Sequence, residues 1–200
     1  SVDWEVVDYQ PYCLDPEVID LQTNTGLLLR GPRPRNLEER TYFTCIGAAQ
    51  TFGRFCEKPY PTLLQEKLGI QTLNLGRGGA GPSFFSKDND KLLKYINNAR
   101  FVIIQVMSGR SESNSLFNSK GLGSYTKISD GTPIGCDDAF RDLLRAKDKN
   151  YIKKIVAETR HNWISSYRYL LEKIKIPKIL FWFSVRKPHY REKYHNIHTL

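Results

Sequence analysis

Long apolar runs are absent from this sequence: no stretch reaches the length needed to cross a membrane, and the first residues lack a basic-then-apolar leader pattern. Cysteine and histidine are scarce, four of each. The spacing of Cys13, Cys45, Cys56 and Cys136 fits no zinc motif, and nothing requires disulfides, so the reading is a cytoplasmic protein without metal or cofactor. Internal repeats and low-complexity tracts are also missing. Positive charge is absent before Arg30, where six acidic side chains stand alone. It collects instead in the last third: residues 141–200 carry 15 Lys and Arg against 5 Asp and Glu. That asymmetry marks either an anionic partner or the solvated face of a lysine-rich helix. No nucleic-acid-binding module is recognisable, so nucleic acid is not the expected partner.

What the chain does contain is 200 residues with 40% hydrophobic and 26% charged side chains, the composition of an ordinary globular domain. Residues 1–40 read as an acidic, irregular arm and an Arg/Pro-rich lead-in, pinned to the body by Trp4, Tyr9 and Tyr12. Residues 41–200 read as one α/β domain. Four segments have the apolar content of strands: 42–46, 72–75, 101–106 and 178–183. The run Phe101-Val102-Ile103-Ile104-Gln105-Val106 is that of a strand buried on both faces. Between them, helical periodicity covers 61–68, 82–98 and 150–173. Residues 115–149 are polar and glycine-spotted and read as a long binding loop or lid. Trp163 and Trp182 are expected in the core.

Alternation of strands and helices predicts a parallel sheet with helices on both faces. Ligands in such sheets bind beyond the carboxyl ends of the strands. All four strand ends carry small or polar residues, at 47–54, 76–81, 107–114 and 184–189. The glycines of Thr72-Leu73-Asn74-Leu75-Gly76-Arg77-Gly78-Gly79-Ala80-Gly81 are either an oxyanion cradle or a tight strand–helix connection. Arg54, Arg77 and Arg110 each follow a strand end. They either share one anionic ligand or form separate surface pairs.

The order strand–Gly47-Ala48-Ala49, then Asn74-Leu75-Gly76-Arg77-Gly78-Gly79, then a buried strand with a polar end resembles the SGNH (GDSL-like) hydrolases over residues 42–115. The resemblance implies a three-layer flavodoxin-like fold and chemistry on esters, often the acyl groups of carbohydrates. The family's nucleophilic Ser falls on Ala49, which has no nucleophilic atom. Its glycine falls on Gly76 or Gly79, and its Asn on Asn114. The closing Asp-x-x-His is not found, although His189, His195 and His198 lie late in the chain. The segments 45–55 and 108–114 also resemble a group of bacterial proteins found in surface-polysaccharide and sulfotransferase contexts, which implies a chain continuing beyond Leu200.

These features lead to a divergent SGNH-like domain that acts on or binds a carbohydrate or its acyl or sulfuryl substituent. If it is an enzyme, it is a hydrolase or transferase in which Thr51 or Ser108 replaces the lost serine, with Asn114 in support. Gly47, Gln50, Arg54, Gly76, Arg77, Gly78, Gly79 and Arg110 would hold the ligand. The alternatives are a non-catalytic anion- or polysaccharide-binding domain and a nucleotide-dependent sulfotransferase. The last rests on Phe183-Ser184-Val185-Arg186-Lys187-Pro188, which resembles a phosphate-binding strand exit. Oligomeric state is not legible.

Overall fold

The computed structural model describes residues 7–187, so Trp4, Pro188, His189, His195 and His198 lie outside the described residues. The chain opens with two short antiparallel ribbons. β1 (Tyr12–Cys13) pairs with β4 (Leu28–Leu29), and β2 (Ile19–Asp20) with β3 (Thr25–Gly26). This region is less irregular than its composition implies, because Val18, Leu27 and Leu29 enter the main core.

Next come β5 (Tyr42–Ile46), the one-turn helix α1 (Ala49–Phe52), α2 (Tyr60–Leu68) and β6 (Gln71–Asn74). They are followed by α3 (Leu92–Asn98), β7 (Val102–Gln105), then β8 (Phe117–Ser119), β9 (Ser124–Lys127) and β10 (Pro133–Gly135). α4 (Cys136–Ala146), α5 (Lys149–Lys173) and β11 (Lys178–Phe181) complete the described chain.

The four segments expected as strands are neighbours in one parallel sheet of order β11-β7-β5-β6. Counted along the chain, that order is 4-3-1-2. Successive side chains of β5 point to opposite faces, and both faces are apolar. Tyr42 and Ile46 join Leu73, Val102 and Ile104 under Leu92 and Ile96 of α3 and Tyr167 and Leu170 of α5. Phe43, Cys45 and Ile103 face the other way, against Tyr60 and Leu64 of α2. α5 starts where a cap was available: the Asp148 carboxylate accepts from the N–H groups of Asn150 and Tyr151.

Three expectations are corrected. Residues 82–98 do not form one helix. A 3-10 turn covers Pro82–Phe85, and the carbonyl of Ser83 accepts from the N–H groups of Ser86, Lys87 and Asp88, which ends it there. Asp88, Asn89 and Asp90 favour turns over helix interior, so α3 starts again at Leu92. Residues 115–149 are not a structureless loop: β8, β9 and β10 form an antiparallel sheet, and α4 follows. A second core joins Phe117, Tyr125, Phe140, Leu143 and Ile155 there. Trp163 is packed against the main core as expected, but Trp182 is 41% exposed, because it follows the strand at the sheet's edge.

The arginines of the lead-in do not act alike. Arg30 is only 2% exposed, and its guanidinium donates to the carbonyls of Gly53 (3.0 Å), Cys56 (2.9 Å) and Glu57 (2.9 Å) while lying over the Tyr9 ring. It therefore ties the N-terminal ribbons to the loop after α1. Replacing it strands three carbonyls, and a hydrogen bond to a charged group contributes about 2 kcal/mol. Arg30→Ala is expected to lower the unfolding free energy by about 3 kcal/mol in urea titration. A loss under about 0.5 kcal/mol would mean that Arg30 is not the tie.

Candidate binding crevice at the strand ends

β5 is flanked by β6 on one side and β7 on the other, so the chain's progress across the sheet reverses at β5. In open α/β sheets the crevice at such a reversal is where ligands bind. Here the residues at the carboxyl ends of β5 and β7 are joined by one side chain, Gln105. Its Oε1 accepts from the Ala48 N–H (3.0 Å) and from Thr51 Oγ1 (2.7 Å), and its Nε2 donates to Gln50 Oε1 (2.8 Å). Gly47 has no side chain because there is no space for one: a Cβ would lie 2.5 Å from Gln105 Oε1 and 2.2 Å from Thr51 Oγ1. On the other side, Asn74 Nδ2 donates to the Thr51 carbonyl, and Asn74 Oδ1 accepts from the Gly76 N–H (both 2.9 Å).

This network decides what Thr51 can do. Its hydroxyl is completely buried and shared between Gln105 and Tyr60 OH (3.1 Å). A nucleophile needs an open approach and a neighbouring base, and Thr51 has the first in neither direction. Cys45, beneath it in β5, is equally closed, and burial pushes its thiol up to about 12. Ser108 is exposed, and its Oγ accepts from the Arg110 N–H (3.3 Å). Asn114 is buried and structural: Nδ2 donates to Thr159 Oγ1 of α5, and Oδ1 accepts from the N–H groups of Leu116 and Phe117.

The glycine-rich turn after β6 has a partner within the chain. Gly79 has φ +77°, and a Cβ on it would stand 2.8 Å from the Gly123 nitrogen. The Gly81 N–H donates to the Gly121 carbonyl (2.8 Å), and Ser111 Oγ donates to the Gly79 carbonyl (2.6 Å). Backbone from the β8–β9 connection therefore occupies one flank of this turn. Gly78 is less enclosed and lies beside the Arg54 guanidinium.

The three strand-end arginines face different neighbours. Arg77 pairs with Asp20 (2.9 Å) and reaches Gln22 (3.3 Å), and Arg110 pairs with Asp137 of α4 (2.8 Å). Arg54 is exposed on the loop after α1. The structure thus joins Gly47, Gln50 and Thr51 around Gln105, packs Gly76 against the backbone of α1, sets Gly78 beside Arg54, and places Asn114 against α5. Among the described residues, no three His, Cys, Asp or Glu side chains are placed to hold a metal ion, and no helix is long and apolar enough to cross a membrane.

Gln105 was not among the residues singled out, although one amide at the end of the apolar run 101–106 is the signal that could have found it. Also unforeseen is the capping of β7's exit by α5: the Met107 N–H donates to Tyr167 OH (2.7 Å), and Trp163 Nε1 donates to the Met107 carbonyl (3.0 Å). Removing the Gln105 amide takes the acceptor from the part-buried Ala48 N–H and leaves the buried Thr51 hydroxyl with Tyr60 OH alone. Gln105→Ala is expected to cost about 2–3 kcal/mol of stability by denaturant titration. A change below about 0.5 kcal/mol would show that the network is not what holds the strand ends together.

A protein-family profile matches residues 17–120, slightly more than half of the chain. The match runs from β2 through β5, β6 and β7 to β8, and it contains Gly47, Gln50, Thr51, Gly76 and Gln105. No curated protein sequence matches the chain. The chain belongs to the family described as Domain of unknown function (DUF6473).

Proposed function

We propose that this chain is a divergent SGNH-like domain that binds a carbohydrate, through its hydroxyls or an acyl or sulfuryl substituent, without cleaving it. One observation carries the reading. Where the SGNH pattern has its serine, this chain has Ala49, and the Ala48 N–H beside it is given to Gln105 Oε1. A backbone N–H at that place is a typical oxyanion donor, and here a neutral side chain of the same protein takes it. Two further features support the fold-level resemblance: the parallel order of the first four sheet strands, 2-1-3-4, and Asn74-Leu75-Gly76 at the end of the second.

The chemistry that remains suits a polar, uncharged or anionic ligand. Gln50 is exposed, and an amide offers both a donor and an acceptor, which matches sugar hydroxyls. Arg54, on the loop after α1, lies beside Gly78, and its guanidinium favours sulfate or carboxylate. A catalytic version of the reading requires Ser108, because Thr51 is closed off.

Two measurements test this. With a chromogenic acetyl ester, the protein is expected to show no turnover above background. Turnover that disappears in Ser108→Ala would replace the binding reading with an esterase. In calorimetry with a sulfated monosaccharide, Gln50→Ala and Arg54→Ala are each expected to weaken binding at least fivefold with the fold intact. Equal affinity in both variants would move the site away from this crevice.

A further inference from the structure

Behind the exit of β7 lies an acid that the crevice does not use. Glu112 follows the turn Gly109–Ser111 and is only 4% exposed. Its Oε2 accepts from Ser166 Oγ of α5 (3.0 Å). Its Oε1 is buried and has no hydrogen-bond partner among the described residues. Lys87, on the surface, donates to the same Ser166 hydroxyl (3.4 Å), so a line of polar groups connects the buried carboxyl to solvent. We propose that Glu112 is a proton-operated latch that fastens the exit of β7, residues 108–114, to α5.

Every element packed around the carboxyl bears on its charge. From α5 come Ser166 and Tyr167. From the segment after the 3-10 turn come Lys87, which favours the ionised form, and Asp88, which opposes it. The Ser83 N–H faces the carboxylate and also favours charge. From β9, Tyr125 OH donates to the Glu112 carbonyl (2.9 Å) and so fixes the backbone. Arg110, on the same turn, is engaged with Asp137. Burial outweighs the favourable groups and raises the carboxyl from the ordinary range to about 7. A neutral carboxyl fits this site, with Ser166 on one oxygen. Oε1 has no hydrogen-bond partner among the described residues in either state, but the ionised form also buries a charge, and that is what makes it the costlier one.

The sign follows from the raised value. The folded chain holds this proton more tightly than the unfolded chain. The stabilisation is complete below about pH 4.5, is lost as the pH rises towards about 7, and is flat above that. The proton leaves to solvent, and the segment that loosens is the one carrying Ser108, Arg110 and Asn114. The latch does not depend on what the crevice binds.

Denaturant unfolding at pH 5.5 and pH 8.5 tests the latch. The unfolding constant of the natural chain is expected to rise by about thirtyfold from this group alone, and that of Glu112→Gln by less than about threefold. The same rise in both proteins would overturn the proposal. Because the variant can fail to fold, the natural chain supplies a second measurement, a carbon NMR titration of the Glu112 carboxyl. A midpoint near 7 is expected, and one near 4.5 overturns the proposal. Hydrogen exchange supplies the third. After correction for intrinsic rates, amides 108–114 are expected to lose protection between pH 6 and pH 8. Unchanged protection would show that the acid titrates without releasing the segment.

Discussion

A single side-chain amide, that of Gln105, ties the carboxyl ends of two adjacent parallel strands to the helical turn that follows the first of them. Parallel strands end together at one side of a sheet, and the backbone N–H groups just beyond them have no partner in the sheet. Something must take them, because a buried donor without an acceptor costs about 1–3 kcal/mol. In a hydrolase of this general plan, the donors are kept for the oxyanion that forms during reaction. Here Gln105 Oε1 takes one N–H and one hydroxyl, and Gly47 makes the room for it. The rest of the strand-end region is arranged around that choice: Thr51 is locked, Asn74 secures the Thr51 carbonyl, and Gln50 is held by the other end of the same amide.

The charges follow a similar logic of internal use. Arg77 and Arg110 stand where an anion was expected, yet both, like Arg30 of the lead-in, are committed to the chain itself. Arg30 satisfies carbonyls after α1, Arg77 holds the β2–β3 ribbon through Asp20 and Gln22, and Arg110 holds α4 through Asp137. The pairs of Arg77 and Arg110 are partly exposed and contribute little to stability individually. Their effect is on position: the ribbons and α4 are peripheral elements, and one ion pair, joined for Arg77 by a hydrogen bond to Gln22, fixes where each sits.

How much of this was legible in the sequence depends on how strongly each segment repeats its pattern. The strands near 42–46 and 101–106 could be read because both of their faces are buried and their apolar runs are nearly unbroken. α5 could be read because twenty-five residues sustain one periodicity. β8, β9 and β10 could not, because each has three or four residues, and only Phe117 and Tyr125 of the first two turn inward. The helix expected over 82–98 failed at Asp88-Asn89-Asp90, where local turn chemistry outweighs an apolar period that continues on both sides. At the site, the small residues of 47–49 and 76–81 were visible, but what fills the space beside them was not. A glycine reports that something approaches closely without saying whether it is a ligand or, as at Gly79, the backbone of Gly123.

That last contact determines which strand ends remain accessible. The β8–β9 connection lies against the glycine turn after β6, and Tyr125 of β9 donates to the carbonyls of Arg110 and Glu112 after β7. One small subdomain therefore grips the exits of two strands of the main sheet. Its own core rests on Phe117, Tyr125 and Phe140, stacked or edge-on to one another. Rings packed this way transmit displacement, because a close-packed core does not deform smoothly. A change at Phe140 is thus felt at Tyr125, and through its hydroxyl at the turn that carries Ser108 and Arg110. The end of β5 is not held from this side. Gln50 and the loop bearing Arg54 stay at the surface, which is why the proposed ligand is put beside the end of β5 and not against the glycine turn.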